Sequence, residues 1–346
     1  MKKNIFFLAV IAGAFLFTTS CSKEPLVEEA KTIETSESST SSLKALARSG
    51  NFFYGVNGHP LGTIAYTSVP AKKQIDAIKS LGMNIYRIDV LSQTANGLVT
   101  VPYLYKPLKE AADAGGVTLL PMLSARDFSF DLSTGEAYRL GRVRGDRFAR
   151  RYKDDFTYYN IANEMCNKII ITGKNYSGAH KEHYDMKKFN IVAAYLKGMD
   201  EGIKSKDPDA KTIINACWMH FMYLKMLEER GVKFDIVGYH WYDDHERAAL
   251  NNHGIDDITK FLSTKFNKPI WFTEIGVRNK GNFRTDQEQK EFLDSFLKKC
   301  QNNPQVKAAM IYQLFDEPEK YAKDADLGIF RWANTYNQFT PKAFAK

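Results

Sequence analysis

Short apolar runs alternate with longer amphipathic segments along most of the chain. The apolar runs have the length and residue types of buried parallel strands, and the segments between them have the spacing of amphipathic helices. Strands are predicted near 53–57, 84–89, 117–122, 156–162, 212–216, 236–240, 270–274 and 308–314, with the clearest helices at 71–81, 187–205, 255–265 and 286–301. Eight strands in this order predict a single (β/α)8 TIM barrel of the α/β class rather than a doubly wound sheet.

The N-terminal 20 residues do not belong to this pattern. Lys2 and Lys3 precede an apolar run too short to span a bilayer, and small residues follow before Cys21, which is typical of a secretory signal peptide. The arrangement resembles a bacterial lipoprotein signal, which implies a lipidated Cys21, although Thr18 stands where an aliphatic residue is usual. Simple secretion and an uncleaved anchor are the alternatives.

Residues 21–49 are rich in Ser, Thr, Glu and Lys and lack apolar periodicity, so we expect a disordered tether after the lipidated cysteine. Residues 50–346 match the length of one catalytic barrel domain. Acyl chains on Cys21 would hold that domain in water at a bacterial membrane. We therefore expect a monomer at the cell envelope, on the outer membrane, with the periplasmic or surface face left open.

Charge and cysteine content exclude some functions. The formal net charge of +8 is spread along the chain, so no nucleic-acid partner is expected. Six arginines between 139 and 151 lie on a predicted helix, where a solvated face is favoured over contact with an acidic sugar. Cys166, Cys217 and Cys300 form no C-x-x-C motif and are interpreted as buried thiols, with one disulfide left open.

Neither a metal site nor a cofactor is predicted. The run from His240 to Glu246 has metal-capable side chains but no ligand spacing such as H-E-x-x-H, so it is interpreted as a solvated loop. A metal-dependent barrel hydrolase is therefore disfavoured.

Two glutamates close strand-like runs and carry the functional hypothesis. Glu164 ends the fourth predicted strand and Glu274 ends the seventh. Because the carboxyl ends of all strands of a TIM barrel meet on one face, the two acids are expected to lie together there. Glycoside hydrolysis needs such a pair: one carboxylic acid protonates the leaving oxygen, and one carboxylate attacks the sugar or activates water. The two must differ in pKa, one protonated and one ionised.

Other polar and aromatic residues follow the strands and are candidates for binding substrate. Asn163 can hold a sugar hydroxyl beside the acid, and Tyr242 can donate to the nucleophile. Arg87 can keep the nucleophile ionised, or can form a structural ion pair with Asp89 or another acid. The remaining candidates can contact sugar hydroxyls or stack on pyranose faces, with a packed wall or core as the alternative: His59, Trp218, His220, His240 and Phe315. His240 can instead contact the acid/base.

Four motifs resemble the clan of retaining β-glycosidases built on the (β/α)8 barrel: YRID at 86–89, NIANE at 160–164, GYHWY at 238–242 and WFTEIG at 271–276. The opening at residues 55–60 resembles the xylosidase-like and exopolysaccharide-hydrolase-like branch of the clan. The resemblance implies that Glu164 is the acid/base, Glu274 the nucleophile and Asn163 the residue that binds the sugar 2-hydroxyl. It further implies that Tyr242 is the partner of the nucleophile and Arg87 the strand-two arginine.

Two residues depart from the clan pattern. Met165 stands where many members have proline, and Phe315 stands near the position where many have tryptophan. The second departure concerns the subsite beneath the reacting sugar. The leading hypothesis is a lipid-anchored retaining β-glycoside hydrolase acting on an oligo- or polysaccharide. The rival is a surface glycan-binding lipoprotein that has the same barrel without turnover.

Overall fold

Eight parallel strands pair in chain order and close into a barrel, the first strand bonding to both the second and the eighth. The computed structural model describes residues 52–125, 128–278, 285–318 and 325–345, apart from 335, 337, 343 and 344. The strands are β1 (Phe53–Gly58), β2 (Ile85–Val90), β3 (Thr118–Leu123), β4 (Tyr158–Ile161), β5 (Lys211–Cys217), β6 (Ile236–Tyr242), β7 (Ile270–Gly276) and β8 (Val306–Ile311). The predicted (β/α)8 barrel is confirmed. The predicted signal peptide, Cys21 and tether lie outside the described residues.

Helices follow the strands on the outside of the barrel. They are α1 (Ile64–Thr67), α2 (Ala71–Ser80), α3 (Pro102–Gly115), α4 (Thr134–Tyr152), α5 (Met165–Ile169), α6 (Met186–Lys204), α7 (Phe221–Glu229), α8 (Asp243–His253), α9 (Ile258–Lys265) and α10 (Asp286–Asn302). A short antiparallel pair, β9 (Phe330–Trp332) and β10 (Phe339–Pro341), follows the barrel. No helix of the described residues is long and apolar enough to cross a membrane.

Local sequence signals explain where several helices begin. Ser133 and Glu136 form a reciprocal capping box at the start of α4, and Thr285 and Glu288 do the same at α10. Asp185 caps α6 through the backbone N–H of Lys188. These side chains satisfy backbone donors that a helix start leaves unpaired. The arginines of α4 are mostly exposed, as the solvated-face interpretation predicted.

Helices α4 and α6 pack closely because each has two glycines four residues apart. A Cβ added at Gly141 would lie 2.0 Å from the Tyr195 carbonyl oxygen, and one at Gly145 would lie 2.3 Å from that of Met199. Gly198 and Gly202 face carbonyl oxygens of α4 at similar distances. Only glycine therefore lets the two backbones approach to this separation.

The barrel interior changes from apolar to polar along its axis. At the amino ends of the strands it is filled by an apolar cluster that includes Ile85, Leu120, Ile213, Trp271 and Met310. Met310 is thus part of the core. Toward the carboxyl ends the inward positions become buried polar side chains: Asn57, Arg87, Asn160, Asn215, His240 and Glu274. A buried polar layer at the carboxyl-end face is where barrel enzymes place their sites.

Candidate active site

Glu164 lies three residues after the end of β4, in a backbone conformation that is rare for a residue with a side chain. Its φ and ψ are 44° and 42°, and Ala162 two residues earlier has φ 62°. Trp218, directly after β5, is the third non-glycine residue with positive φ in the described part of the chain. Such conformations cost about 1–3 kcal/mol each and cluster at functional sites. All three lie at the carboxyl-end face.

Glu274 points into the barrel because β7 is irregular. Strict alternation from the inward Trp271 would place Thr273 inward and Glu274 outward. The pairing with β6 shifts instead: Tyr239 pairs with Phe272, but His240 pairs with Glu274, so one extra residue is accommodated on β7. A bulge of this kind re-aims the following side chain, and it brings Glu274 into the polar layer.

The two glutamates meet at His240. Nδ1 of His240 lies 2.7 Å from Glu164 Oε1 and 3.2 Å from Glu274 Oε2. One carboxylate oxygen of each glutamate and one ring nitrogen of His240 lie within 4.8 Å of one another. His240 is fully buried, whereas the Glu164 side chain is 22% exposed. The site is therefore open to solvent on the Glu164 side.

Arg87 connects Glu274 to three asparagines. It donates from Nη1 to Glu274 Oε1 at 2.8 Å and to Asn57 Oδ1 at 2.6 Å. It also donates from Nε to Asn160 at 2.8 Å and from Nη2 to Asn163 at 2.7 Å. Arg87 therefore pairs with Glu274 and not with Asp89. Asp89 instead binds His59, at 2.7 Å.

Tyr242 and Arg278 complete the surroundings of the two acids. The Tyr242 hydroxyl donates to Glu274 Oε2 at 3.0 Å, and the Arg278 guanidinium lies 3.9 Å above the Tyr242 ring. Burial, together with the negative charge of Glu274, raises the pKa of Tyr242 well above its usual value. The phenol therefore stays protonated and keeps its role as a donor.

The pKa of Glu164 departs from the sequence-based expectation. Burial by itself would raise this pKa, but the hydrogen bond and positive charge of His240, with the charge of Arg278, outweigh it and lower the pKa to about 2. A general acid is expected to have a raised pKa. The resting environment of Glu164 thus favours a carboxylate, with a proton donor on His240 at 2.7 Å.

Of the predicted substrate-binding residues, Asn163, His240, Tyr242 and Arg87 are brought together around the glutamates. His59 lies on the β1 and β2 side of the barrel, against Asp89 and 3.3 Å from the Tyr312 hydroxyl. Trp218 is half-buried and stacks on Trp241 at 6.1 Å between ring centroids.

Two predicted substrate-binding residues lie elsewhere, and one interpretation of a segment is wrong. Phe315 is fully buried among Tyr66, Trp332 and Phe339, so it has no surface to offer a sugar and belongs to the core. His220 is buried behind the site, close to Cys166 and Cys217. The run 240–246 is the end of β6 and the start of α8, not a solvated loop.

Several site residues were missed by sequence reasoning. Asn160 and Asn215 receive or give hydrogen bonds inside the network, and Asn215 Oδ1 accepts from the Glu164 backbone N–H at 2.7 Å. Asn167 donates to Glu164 Oε2 at 2.9 Å. Asn160 and Asn215 could have been found from their inward positions on β4 and β5. Asn167 lies in the short helix α5 after β4 and Arg278 lies after β7, and the sequence does not specify the path of the chain at either place.

The three cysteines of the barrel domain are buried and free. Cys166 and Cys217 have their sulfur atoms 3.9 Å apart, well beyond a disulfide bond. Burial would raise the pKa of Cys166, but a hydrogen bond from Cys217 and the charge of His220 lower it to about 6. Donor atoms of Cys166, Cys217 and His220 lie within 4.8 Å of one another, as do those of Glu164, His240 and Glu274.

Comparisons with known proteins agree with the fold and the class of site. A family model described as the glycosyl hydrolase catalytic core matches residues 191–328, the segment that carries His240, Tyr242 and Glu274. This match confirms the predicted class of enzyme, a glycoside hydrolase. No curated protein sequence matches the chain significantly.

Solved structures with the same fold include glycosidases of low sequence identity. A family 1 β-glucosidase from Thermotoga maritima superposes with a TM-score of 0.59 and 16% identity, over 85% of this chain and 96% of its own. The virulence factor SghA from Agrobacterium tumefaciens superposes with a TM-score of 0.63 and 13% identity, over 88% of this chain and 97% of its own. At such identities the likeness establishes the (β/α)8 fold.

Proposed function

We propose that the protein is a retaining β-glycoside hydrolase that cleaves O-glycosidic bonds of an oligo- or polysaccharide, with Glu164 and Glu274 as its two catalytic carboxylates. The observation that carries the proposal is their proximity: oxygens of the two side chains lie within 4.8 Å. Carboxyl groups about 5–5.5 Å apart are typical of retaining enzymes, and inverting enzymes need about 6.5–9.5 Å to admit a water molecule. The spacing therefore favours retention.

Glu274 is suited to be the nucleophile because donors fix both of its oxygens. Arg87 binds Oε1, and Tyr242 and His240 lie at Oε2. Donors at both oxygens hold the carboxylate in one orientation for attack on the anomeric carbon. In the first step, Glu274 forms a bond to the anomeric carbon while the bond to the leaving oxygen breaks.

Glu164 is suited to be the acid/base through its partnership with His240. In the form of the site in which His240 carries two protons, transfer of one of them across the 2.7 Å contact makes Glu164 a carboxylic acid and leaves a neutral imidazole. Exclusion of water by a bound sugar disfavours charged forms, so binding promotes this transfer. Glu164 then protonates the leaving oxygen. In the second step it takes a proton from water, which attacks the anomeric carbon and releases Glu274.

The neighbouring residues can bind the sugar. Asn163 Oδ1 accepts from Arg87 and Asn215, which leaves its amide nitrogen as the group it can offer to a sugar hydroxyl. The half-buried Trp218 offers part of an indole face to a pyranose.

The proposed location is the cell envelope of a bacterium, where a lipid on Cys21 would anchor the monomeric barrel to a membrane and place it near polysaccharides. The signal-like residues 1–20 support this part of the proposal.

One observation favours a glycan-binding protein without turnover. A Glu164 that is ionised at neutral pH has no proton of its own to give, so the proton shared with His240 is essential to the catalytic proposal. Another observation disfavours the glycan-binding alternative: several hydrogen-bond donors converge on the Glu274 carboxylate, and binding a glycan does not require such an arrangement.

The decisive experiment removes the nucleophile and supplies a substitute. In Glu274→Ala, turnover of an aryl β-glycoside should fall by several orders of magnitude, and azide or formate should partly restore it by attacking from the vacated space. The product should be a glycosyl azide or formate of inverted anomeric configuration, which NMR identifies. Glu110→Ala, at an exposed glutamate of α3, is the matched control and should behave as wild type.

Full activity in Glu274→Ala would contradict the proposal. Binding without any hydrolysis by the wild-type protein, across a panel of aryl β-glycosides and plant, fungal and bacterial polysaccharides, would establish the glycan-binding alternative.

A further inference from the structure

A buried cluster of two cysteines and one histidine lies directly behind Glu164. Cys166 lies two residues after Glu164, in the first turn of α5. Cys217 is the last residue of β5, and His220 immediately precedes α7. All three are buried, and one donor atom from each lies within 4.8 Å of the other two. The cluster thus joins the segments that follow two neighbouring barrel strands, and neither the proposed chemistry nor substrate binding uses it.

The spacing of the sulfur atoms fits a bridging cation. Two thiolates bound to one tetrahedral Zn²⁺ at about 2.3 Å each lie about 3.8 Å apart, and the observed separation of Cys166 Sγ and Cys217 Sγ is 3.9 Å. A disulfide would require about 2.05 Å. The existing side-chain positions therefore need little adjustment to accept a metal ion.

His220 supplies an independent observation. The residue is 5% exposed, and its Nδ1 has no hydrogen-bond partner within the part of the chain that the structure describes. The ring also packs against Gly178, where an added Cβ would lie 2.0 Å from its Cδ2, so this side of the ring lies directly against backbone. A buried polar atom without a partner is costly, and ligand binding at the ring would relieve that cost.

We propose that Cys166, Cys217 and His220 form a binding site for a single soft or borderline metal cation of the Zn²⁺ class. Two thiolates and an imidazole prefer such ions over Mg²⁺ or Ca²⁺, which take oxygen ligands. Three protein ligands leave a fourth tetrahedral position for water or another donor.

The site is coupled to Glu164 through Asn167. Cys217 Sγ lies 3.2 Å from Asn167 Oδ1, and Asn167 Nδ2 donates to Glu164 Oε2 at 2.9 Å. Metal binding requires the Cys217 thiol to lose its proton, which places a thiolate against the Asn167 amide oxygen and a cation behind the proposed acid. We infer that an occupied site inhibits turnover. This consequence rests on the proposed function of Glu164, whereas metal binding itself does not.

Cobalt provides a test of binding that is independent of activity. Titration of the reduced protein with Co²⁺ should give a thiolate-to-cobalt charge-transfer band that saturates at one equivalent. Cys166→Ser and Cys217→Ser should abolish the band, and His220→Ala should weaken binding at least tenfold. Cys300→Ser is the matched control, because this buried thiol on α10 lies outside the cluster. Cobalt bound at Glu164, His240 and Glu274 would give no such band.

Absence of the band in the wild-type protein, or its persistence in Cys217→Ser, would overturn the proposal. A cooperative thermal unfolding transition shows whether each variant is folded. If Cys217→Ser is not folded, Cys217→Ala takes its place. A rise in the melting temperature of the wild-type protein with added Co²⁺ provides a second measure that needs no variant.

Inhibition by Zn²⁺ tests the coupling. Turnover is expressed relative to the metal-free rate of the same variant. With added Zn²⁺ it should fall in wild type and in Cys300→Ser and recover when a chelator is added. In Cys217→Ser it should not respond to Zn²⁺. Equal inhibition in Cys217→Ser would place the inhibitory cation at the carboxylates and refute the coupling.

Discussion

Replacing Tyr242 by Phe removes one hydrogen bond to the proposed nucleophile and little else. The hydroxyl donates to Glu274 Oε2 at 3.0 Å in a buried setting, and the aromatic ring that packs under Arg278 is retained in Phe. A hydrogen bond to a charged group contributes about 1.5–3 kcal/mol, and about 1.4 kcal/mol corresponds to a tenfold change in rate. We therefore expect kcat to fall by roughly 10- to 150-fold, because the bond orients the attacking carboxylate.

The assay is steady-state hydrolysis of an activated aryl β-glycoside, with melting temperature as a measure of folding. Tyr223→Phe is the matched control, because Tyr223 is fully buried and its hydroxyl has no hydrogen-bond partner among the described residues. That variant should keep wild-type kcat. A Tyr242→Phe enzyme within twofold of wild type would refute the assignment of Tyr242 as the partner of the nucleophile.

Two further predictions concern stability. In Gly145→Ala the new Cβ would lie 2.3 Å from the Met199 carbonyl oxygen, so α4 and α6 must separate, which should cost about 1–3 kcal/mol and lower the melting temperature by roughly 2–10 °C. The control is Gly135→Ala, whose new Cβ meets only Arg139 Nη1 at 3.5 Å and should not destabilise the protein. Equal melting temperatures of the two variants would disprove the close packing. The pKa of Glu164 is lowered from 4.5 to about 2, so ionised Glu164 should contribute stability that is complete above about pH 4.5 and is lost as pH falls toward 2, with an upper limit of roughly 3 kcal/mol. Denaturant unfolding of wild type and Glu164→Gln between pH 2 and 7 measures this contribution as the difference between their free energies of unfolding. A difference that does not shrink as the pH falls would contradict the role of His240.

The predicted barrel could be read from the chain because its determinants are local. Runs such as 308–311 are continuously apolar because a parallel strand is buried on both faces, and helix starts such as Ser133 carry their own capping residues. The meeting of Glu164 and Glu274 on one face also follows from the strand order, since all carboxyl ends share that face.

The orientation of the site residues depends on contacts that are distant in sequence. Period-two alternation on β7 would direct Glu274 away from the barrel interior, and only its pairing with β6 reveals the shift that turns it inward. Phe315 was predicted to stack on a sugar because it follows the last strand, but the side chains of Tyr66 and Phe339, which are distant in sequence, pack against it. Burial by residues remote in sequence has no local signature.

The sequence by itself determined the order of strands and helices, the fold class and the position of two glutamates near strand ends, because periodicity and strand-end position are properties of consecutive residues. The tertiary structure decided the electrostatics: His240 and Arg278 lower the pKa of Glu164 where burial alone would raise it, and Arg87 reaches Glu274 across 187 positions. Charge interactions depend on distances between atoms in space, and closure of the barrel sets those distances.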